Sequence, residues 1–205
     1  MKILLATRNL HKTREFAEQL RPEFQVVDLT GARHLPAIAE TGNTFEENAE
    51  MKALAVSRLC PNQVVIADDS GLEVDILGGA PGIFSARYAS QHASDATNME
   101  KLLQQLETTP PSARLARFRC AIAVCHNGEL LQVVSGEIAG KIAKSPRGKN
   151  GFGYDPLFVP AGFRRTFAEL PSRLKNRISH RARAAEKLRQ FLSENYRLLG
   201  GAARI

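Results

Sequence analysis

Asp68 and Asp69 stand side by side after the β-branched run Gln63 to Ala67, and Ser70 and Gly71 follow them. One carboxylate of such a pair can hold a hard cation while its neighbour takes a proton from water. On a regular strand the two would point to opposite faces, so Gly71 is expected to turn the chain and aim both at one point. The end of a strand is where α/β sheets present chemistry; a turn with solvated acids accounts for the same residues. Glu40, before Thr41-Gly42-Asn43, is the candidate for a further acid reaching the pair from a loop.

Three other constellations carry polar chemistry. Thr7-Arg8-Asn9-Leu10-His11-Lys12 joins an apolar run to a helix start, where backbone N–H groups and the positive dipole end favour an anion and Lys12 adds a point charge. The Gly-x-x-x-x-Gly-Lys-Ser/Thr spacing of a P-loop is absent. Gly148-Lys149-Asn150-Gly151-Phe152-Gly153-Tyr154-Asp155 combines glycines that admit close backbone approach with rings on which a nucleobase can stack, at about 1–3 kcal/mol per base. Lys175, Ser179, His180 and Arg181 form a dense donor group suited to a base carbonyl or a phosphate. A glycine loop with core aromatics and a basic surface stripe from Arg173 to Arg189 are the plainer alternatives for these last two.

The elements that must position these residues are read from periodicity. Lys2 to Thr7 is a buried strand, His11 to Leu20 a helix ended by Arg21-Pro22, and Phe24 to Asp28 a second strand. After a loop with Gly31 and Pro36, Thr44 and Glu47 have capping-box spacing ahead of a helix whose stripe is Phe45, Ala49, Ala53 and Val56, closed by Pro61. Gln63 to Ala67 is a strand, Leu72 to Leu77 alternates, Gly78 to Gly82 is a loop, and a helix runs from about Ser94 to Leu106. Arg117 to His126, the turn Asn127-Gly128 and Glu129 to Ser135 form a hairpin. Pro146 to Gly153 is a loop, and Ser172 to about Asn195 is helical, with Pro171 and Ser179 marking two possible starts. Helices around a mixed sheet, parallel early and antiparallel late, are the expected architecture.

The 205 residues, 43% apolar, suffice for one ordinary domain, and no apolar run approaches a membrane span. The first residues carry too short an apolar run for a signal peptide, so a cytoplasmic protein without membrane partners is expected. Cys60, Cys120 and Cys125 are odd in number and lack a Cys-x-x-Cys pair, which suits buried thiols in a reducing compartment. His34, His92 and His126 lack zinc-ligand spacing. The net charge of +7 divides unevenly: residues 1–140 hold 13 basic and 17 acidic side chains, residues 141–205 hold 15 and 4. A basic third facing polyanions and an acidic part able to hold a cation suit a metal-dependent enzyme acting on phosphates. A basic face that only aids solubility fits the same count.

Taken in order, the motifs resemble one family. Thr-x-Asn-x-x-Lys at 7–12, Glu-Thr-Gly-x-Thr-Phe-x-Glu-Asn-Ala at 40–49, Ala-Asp-Asp-Ser-Gly-Leu at 67–72 and Gly-Gly-Ala-Pro-Gly-Ile-x-Ser-Ala-Arg-Tyr at 78–88 look like the inosine/xanthosine triphosphate pyrophosphatases (HAM1-like). Gly-Phe-Gly-Tyr-Asp-Pro at 151–156 and Ile-Ser-His-Arg at 178–181 complete the match. The resemblance implies an elongated mixed α/β sheet flanked by helices, in two lobes with the active site in the cleft between them, residues 1–205 forming a single catalytic domain. It implies a Mg2+-dependent homodimer that hydrolyses ITP, dITP and XTP to the monophosphate and pyrophosphate, cleaning the nucleotide pool. By the same resemblance Glu40 and Asp68 would hold magnesium, with Asp69 near the metal and accepting the proton of the attacking water. Thr7, Arg8, Asn9, Leu10, His11 and Lys12 would hold the triphosphate together with Ser70, and Lys12 would also serve catalysis. Phe152, Gly153, Tyr154 and Asp155 would meet base and sugar, and Lys175, His180 and Arg181 would read the 6-oxo edge. Arg8 stands where relatives often have a small or polar residue, and Glu46 falls at a variable site and is assigned nothing.

Two rivals make different demands. A nucleic-acid-binding module would exploit the basic third and bind strands with a steep salt dependence, which leaves the acids unexplained. A phosphatase using an aspartyl-phosphate would have its acids two residues apart rather than adjacent. The related Maf-type nucleotide pyrophosphatases fit the same chemistry, but the Ser-His-Arg and Gly-Phe-Gly-Tyr-Asp elements favour the first family.

Overall fold

The structure is a computed structural model that describes residues 1–32 and 38–200. His34 and the loop proline Pro36 lie outside the described residues. Among those described, β1 (Lys2–Leu5), α1 (Leu10–Leu20), β2 (Gln25–Asp28), α2 (Phe45–Leu59) and β3 (Val64–Val74) come first. They are followed by α3 (Asp95–Gln105), β4 (Leu115–His126), β5 (Glu129–Ile142), β6 (Phe158–Pro160), α4 (Ser172–Ile178) and α5 (His180–Glu194). Six strands make one sheet in the order β2-β1-β3-β4-β5-β6. β1 pairs in parallel with both β2 and β3, and β5 pairs antiparallel with β6, so the mixed character expected from the sequence is borne out.

The chain clusters into two compact units. The first holds Met1–Asp69, Cys120–Gly136 and the chain from Arg181; the second holds Ser70–Arg119 and Glu137–His180. The first unit's core comes from Ile3, Leu5, Val64 and Ile66 on the strands, Phe16 and Leu20 on α1, and Ala184, Leu188 and Leu192 on α5. Val64 and Ile66 are two apart and share a face, and Asp68 continues that alternation toward α1 and α5. The second unit's core gathers Leu72, Val74, Leu102, Phe118, Tyr154, Phe158 and Phe167. Phe118 packs edge-on against Phe158 at 4.7 Å between ring centres.

Several elements differ from the sequence reading. The turn expected at Gly71 does not form: β3 continues through Asp68-Asp69-Ser70-Gly71 to Val74 and absorbs the alternating stretch that follows. β5 extends past Ser135 to Ile142, where it receives the three-residue β6. Gly140 permits that pairing, since a Cβ there would lie 2.4 Å from the Val159 carbonyl oxygen. The hairpin turn is as expected, with Asn127 and Gly128 both at positive φ (52° and 80°). The C-terminal helical stretch is two helices, and Ser179 closes α4.

Candidate active site

In the first unit, α1 begins at Leu10 because Asn9 caps it: its Oδ1 accepts from the His11 N–H at 2.9 Å and the Lys12 N–H at 3.3 Å. The backbone donors that the sequence offered to an anion there are thus shared with Asn9. Thr7 supports the cap by accepting the Asn9 N–H on its hydroxyl at 3.2 Å. Arg8, Leu10 and His11 are exposed, while Lys12 turns inward and places its ammonium 3.0 Å from Asp68 Oδ2. Thr13 donates to Asp28 Oδ2 at 2.6 Å, which fastens α1 to the end of β2.

Asp68 and Asp69 are buried and, because β3 does not turn, they serve different neighbours. Asp68 faces α1 and α5, meeting Lys12 and, at 3.4 Å, Arg181 Nη2. Arg181 is itself 2% exposed and its Nη1 donates to Glu15 Oε2 at 2.5 Å. Burial opposes its charge, yet Glu15 and Asp68 hold the guanidinium protonated.

Asp69 faces α2. Its Oδ2 accepts from Asn48 Nδ2 at 3.1 Å, and its Oδ1 lies 3.6 Å from the Lys52 ammonium. Lys52 also donates to Glu40 Oε1 at 2.6 Å and to the Asp68 carbonyl at 2.7 Å. Asn48 completes the frame by accepting the Gly42 N–H at 2.8 Å, which holds the loop that carries Glu40. Burial pushes the Asp69 carboxyl above the usual range, with Glu40 and Asp68 adding repulsion that Lys52 and Lys12 only partly offset. Burial would lower the Lys52 amine, but Asp69, Glu40 and Asp68 outweigh it and keep the ammonium charged.

The donor set is one of hard oxygens. Among the described residues no three His, Cys, Asp or Glu side chains form a metal shell by themselves. Glu40 and Asp69 nevertheless converge on one cation, the Lys52 ammonium, and one or two carboxylates completed by substrate phosphate is the usual magnesium arrangement. The residues therefore fit a divalent ion that arrives with a phosphate.

The second unit holds the other candidates, Arg181 excepted. Asp155, 2% exposed, accepts from the Phe152 N–H at 2.9 Å and from the Lys175 ammonium at 2.5 Å. That ammonium also lies 4.8 Å from the Phe152 ring centre. Gly151 is obligatory in this loop, since at φ 77° a Cβ would lie 1.9 Å from Asp155 Oδ2. Tyr154 is 4% exposed, and its hydroxyl donates to the Ser85 carbonyl at 2.9 Å, which makes it a packing residue as well as a member of the loop. The Gly153 N–H donates to Asp95 Oδ2 at 2.6 Å. His180 is buried and stacks on Phe118 at 4.7 Å. Ser70, half-buried on β3, begins this unit.

Sequence reading missed Asn48, Lys52 and Glu15. Their signal was present: Asn48 and Lys52 fall within the buried stripe of α2, where a polar side chain needs a partner.

Fold and site together define a class, a mixed α/β protein whose strand-borne acids and buried amines are suited to phosphate chemistry. The chain belongs to the Ham1 family, whose sequence profile matches residues 3–191. It is 48% identical over 194 residues to the dITP/XTP pyrophosphatase of Bacillus licheniformis, covering 94% of this chain and 98% of that one. The dITP/XTP pyrophosphatase of Bacillus subtilis is 50% identical over 190 residues, covering 92% and 96%. The HAM1 protein from Coxiella burnetii superposes with a TM-score of 0.85 at 43% identity, covering 95% of this chain and 99% of that structure. The family resemblance drawn from the six motifs is borne out.

Proposed function

We propose that this chain hydrolyses deaminated purine nucleoside triphosphates, ITP, dITP and XTP, to the monophosphate and pyrophosphate with Mg2+. The family and the names of its near relatives support the reaction class. The observation that carries the reading to named atoms is the convergence of Glu40, Asp69 and the Asp68 carbonyl on the buried Lys52, with Lys12 beside Asp68.

Glu40 and Asp69, in place of the Glu40 and Asp68 that the resemblance implies, would hold the magnesium ion with Asp68 adjacent, because both reach the Lys52 ammonium. When bound, the ion supplies positive charge against the phosphate oxygens of the leaving pyrophosphate. Lys12 and the N-terminal end of α1, from Thr7 to His11, bring further positive potential to the same oxygens, joined by Ser70. Asp69, held between Asn48 and Lys52, would also accept the proton of the attacking water. Lys52 neutralises the carboxylates so that they stand together before substrate arrives. Phe152 offers a face to the purine within the loop Phe152–Asp155, and Lys175, His180 and Arg181 donate toward its 6-oxo edge. Adenine would present an amino group to these donors, and an unsatisfied buried polar group costs about 1–3 kcal/mol, so a few such contacts discriminate.

We read residues 1–205 as one catalytic domain, because β3, β4 and β5 each give residues to both units. Homodimer formation is read from the family resemblance, and a cytoplasmic location is supported by three cysteines that lack a Cys-x-x-Cys pair. Among the described residues no helix is long and apolar enough to cross a membrane.

The deciding experiment incubates the protein with Mg2+ and ITP, XTP, dITP, ATP and GTP in parallel and separates the products by ion exchange. Monophosphate plus pyrophosphate from the first three, with ATP and GTP nearly untouched, is expected. Diphosphate plus orthophosphate would replace the reading with a phosphatase.

A further inference from the structure

The motif Gly78 to Tyr88 and the helix after it have no part in the chemistry above, yet one face of that helix is committed to contacts. On α3, Asn98 is 3% exposed: its Oδ1 accepts the Ala89 N–H at 2.8 Å and its Nδ2 donates to the Ala86 carbonyl at 3.1 Å. Lys101 donates to the Tyr88 carbonyl at 2.5 Å and lies 4.6 Å from the Tyr88 ring centre. Gln105 accepts from the Tyr88 hydroxyl. Residues 98, 101 and 105 follow one another at three and four, so they share a stripe, and Asp95 begins it three residues earlier. The segment from Ser85 to Ala89 is thereby fixed to α3, and Ser85 in turn receives the Tyr154 hydroxyl.

Asp95 points the same stripe at the loop Phe152–Asp155. It is exposed, lies in the first turn of α3 behind the Ser94 cap, and accepts the Gly153 N–H at 2.6 Å. Gly153 has φ 61°, and nothing lies within 4 Å of where its Cβ would be. The loop is anchored from within by Asp155, which takes the Phe152 N–H and Lys175, and from outside by the Tyr154 hydroxyl on Ser85 and by Asp95 on the Gly153 amide.

We propose that Asp95 is a positioning residue for base recognition: by gripping the Gly153 amide it fixes the orientation of Phe152 and so the binding of the purine. This rests on the reading of the loop as the base site. The partner of Asp95 is the loop read as the base site, so its loss should weaken substrate binding and leave the chemical step alone. The bond is a charge-assisted one at an exposed position, and one hydrogen bond of that kind corresponds to about a fivefold to tenfold change in affinity.

The test compares Asp95→Ala and Asp95→Asn with the unaltered protein. KM and kcat are measured on ITP, and exchange of the Gly153 amide proton is followed by NMR without nucleotide. For Asp95→Ala the expected result is KM up about fivefold to tenfold, kcat within about twofold, and faster exchange at Gly153. Asp95→Asn keeps an acceptor oxygen and the helix start, and should restore most of both. Unchanged exchange in Asp95→Ala overturns the tether. Faster exchange with unchanged KM, or a fall in kcat alone, overturns the role in base binding. A loss in both variants alike assigns the effect to the carboxylate's charge rather than to its bond with Gly153 and overturns the proposal too. If the unaltered protein does not turn over ITP, the functional reading and the role in base binding fail together, while the exchange data still decide the tether.

Discussion

Asp69 owes its character to three neighbours and to burial, and each pulls on its proton in a known direction. Burial, Glu40 and Asp68 favour the protonated form, and Lys52 and Lys12 oppose them without prevailing. Asp69→Asn keeps the acceptor for Asn48 while removing the base. It should lower kcat by at least about a hundredfold with the circular dichroism spectrum unchanged, and wild-type turnover in that variant would refute the assignment. Residue types singled out Asp68 and Asp69, because paired acids after a β-branched run are informative by themselves, whereas Glu40 in a loop and Lys12 at a helix start are weak signals that gain weight only from the family resemblance. Lys52 was not legible. A lysine inside a helix ordinarily faces water, and only the placement of Lys52 and Asn48 among Phe45, Ala49, Ala53 and Val56 betrays a buried charge that must be paired.

Helix α1 presents Lys12, and one of the side chains that hold it to the sheet is Asp28 at the end of β2. Asp28 accepts from Thr13 on α1 at 2.6 Å and from the Thr30 N–H at 2.9 Å. Burial alone would raise its carboxyl, but the donors of Thr13 and Thr30 outweigh it and hold the carboxyl below the usual range. A depressed folded-state pKa gives stability that is present above the unfolded value and lost as pH falls through the folded value. Asp28→Ala should therefore lower the melting temperature at pH 7, and the gap from the unaltered protein should narrow as the pH is taken below the ordinary carboxylate range. A gap that stays constant across that range would show that the charge is not what matters. The elements were legible where period and punctuation agreed, as in α1, α2 and the hairpin at Asn127-Gly128. Gly71 resembles a breaker and hides the true length of β3, which as a central strand between β1 and β4 continues through it. β6 has three residues, too few for any period to show.

For the whole molecule, the net charge of +7 overstates how much positive surface is offered to a polyanion. Lys175 and Arg181 lie buried against Asp155, Glu15 and Asp68, and Arg189 pairs with Glu186 along α5. A nucleic-acid-binding module would need those charges outside. Duplex DNA in a filter-binding titration should thus show no binding tighter than about micromolar at physiological salt. A log–log salt slope near −5, as about six phosphate contacts would give, would revive that rival. The uninterrupted β3 has its own consequence for how this chain can change. Adjacent residues of a strand differ in parity, and parity decides which helix each acid meets: Asp68 goes to α1 and α5, Asp69 to α2. Loops elsewhere can gain or lose a residue and leave that assignment alone. One residue inserted within the paired stretch Val64 to Ile66 would preserve both acids, their order and their chemistry, and would hand each to the other's helix.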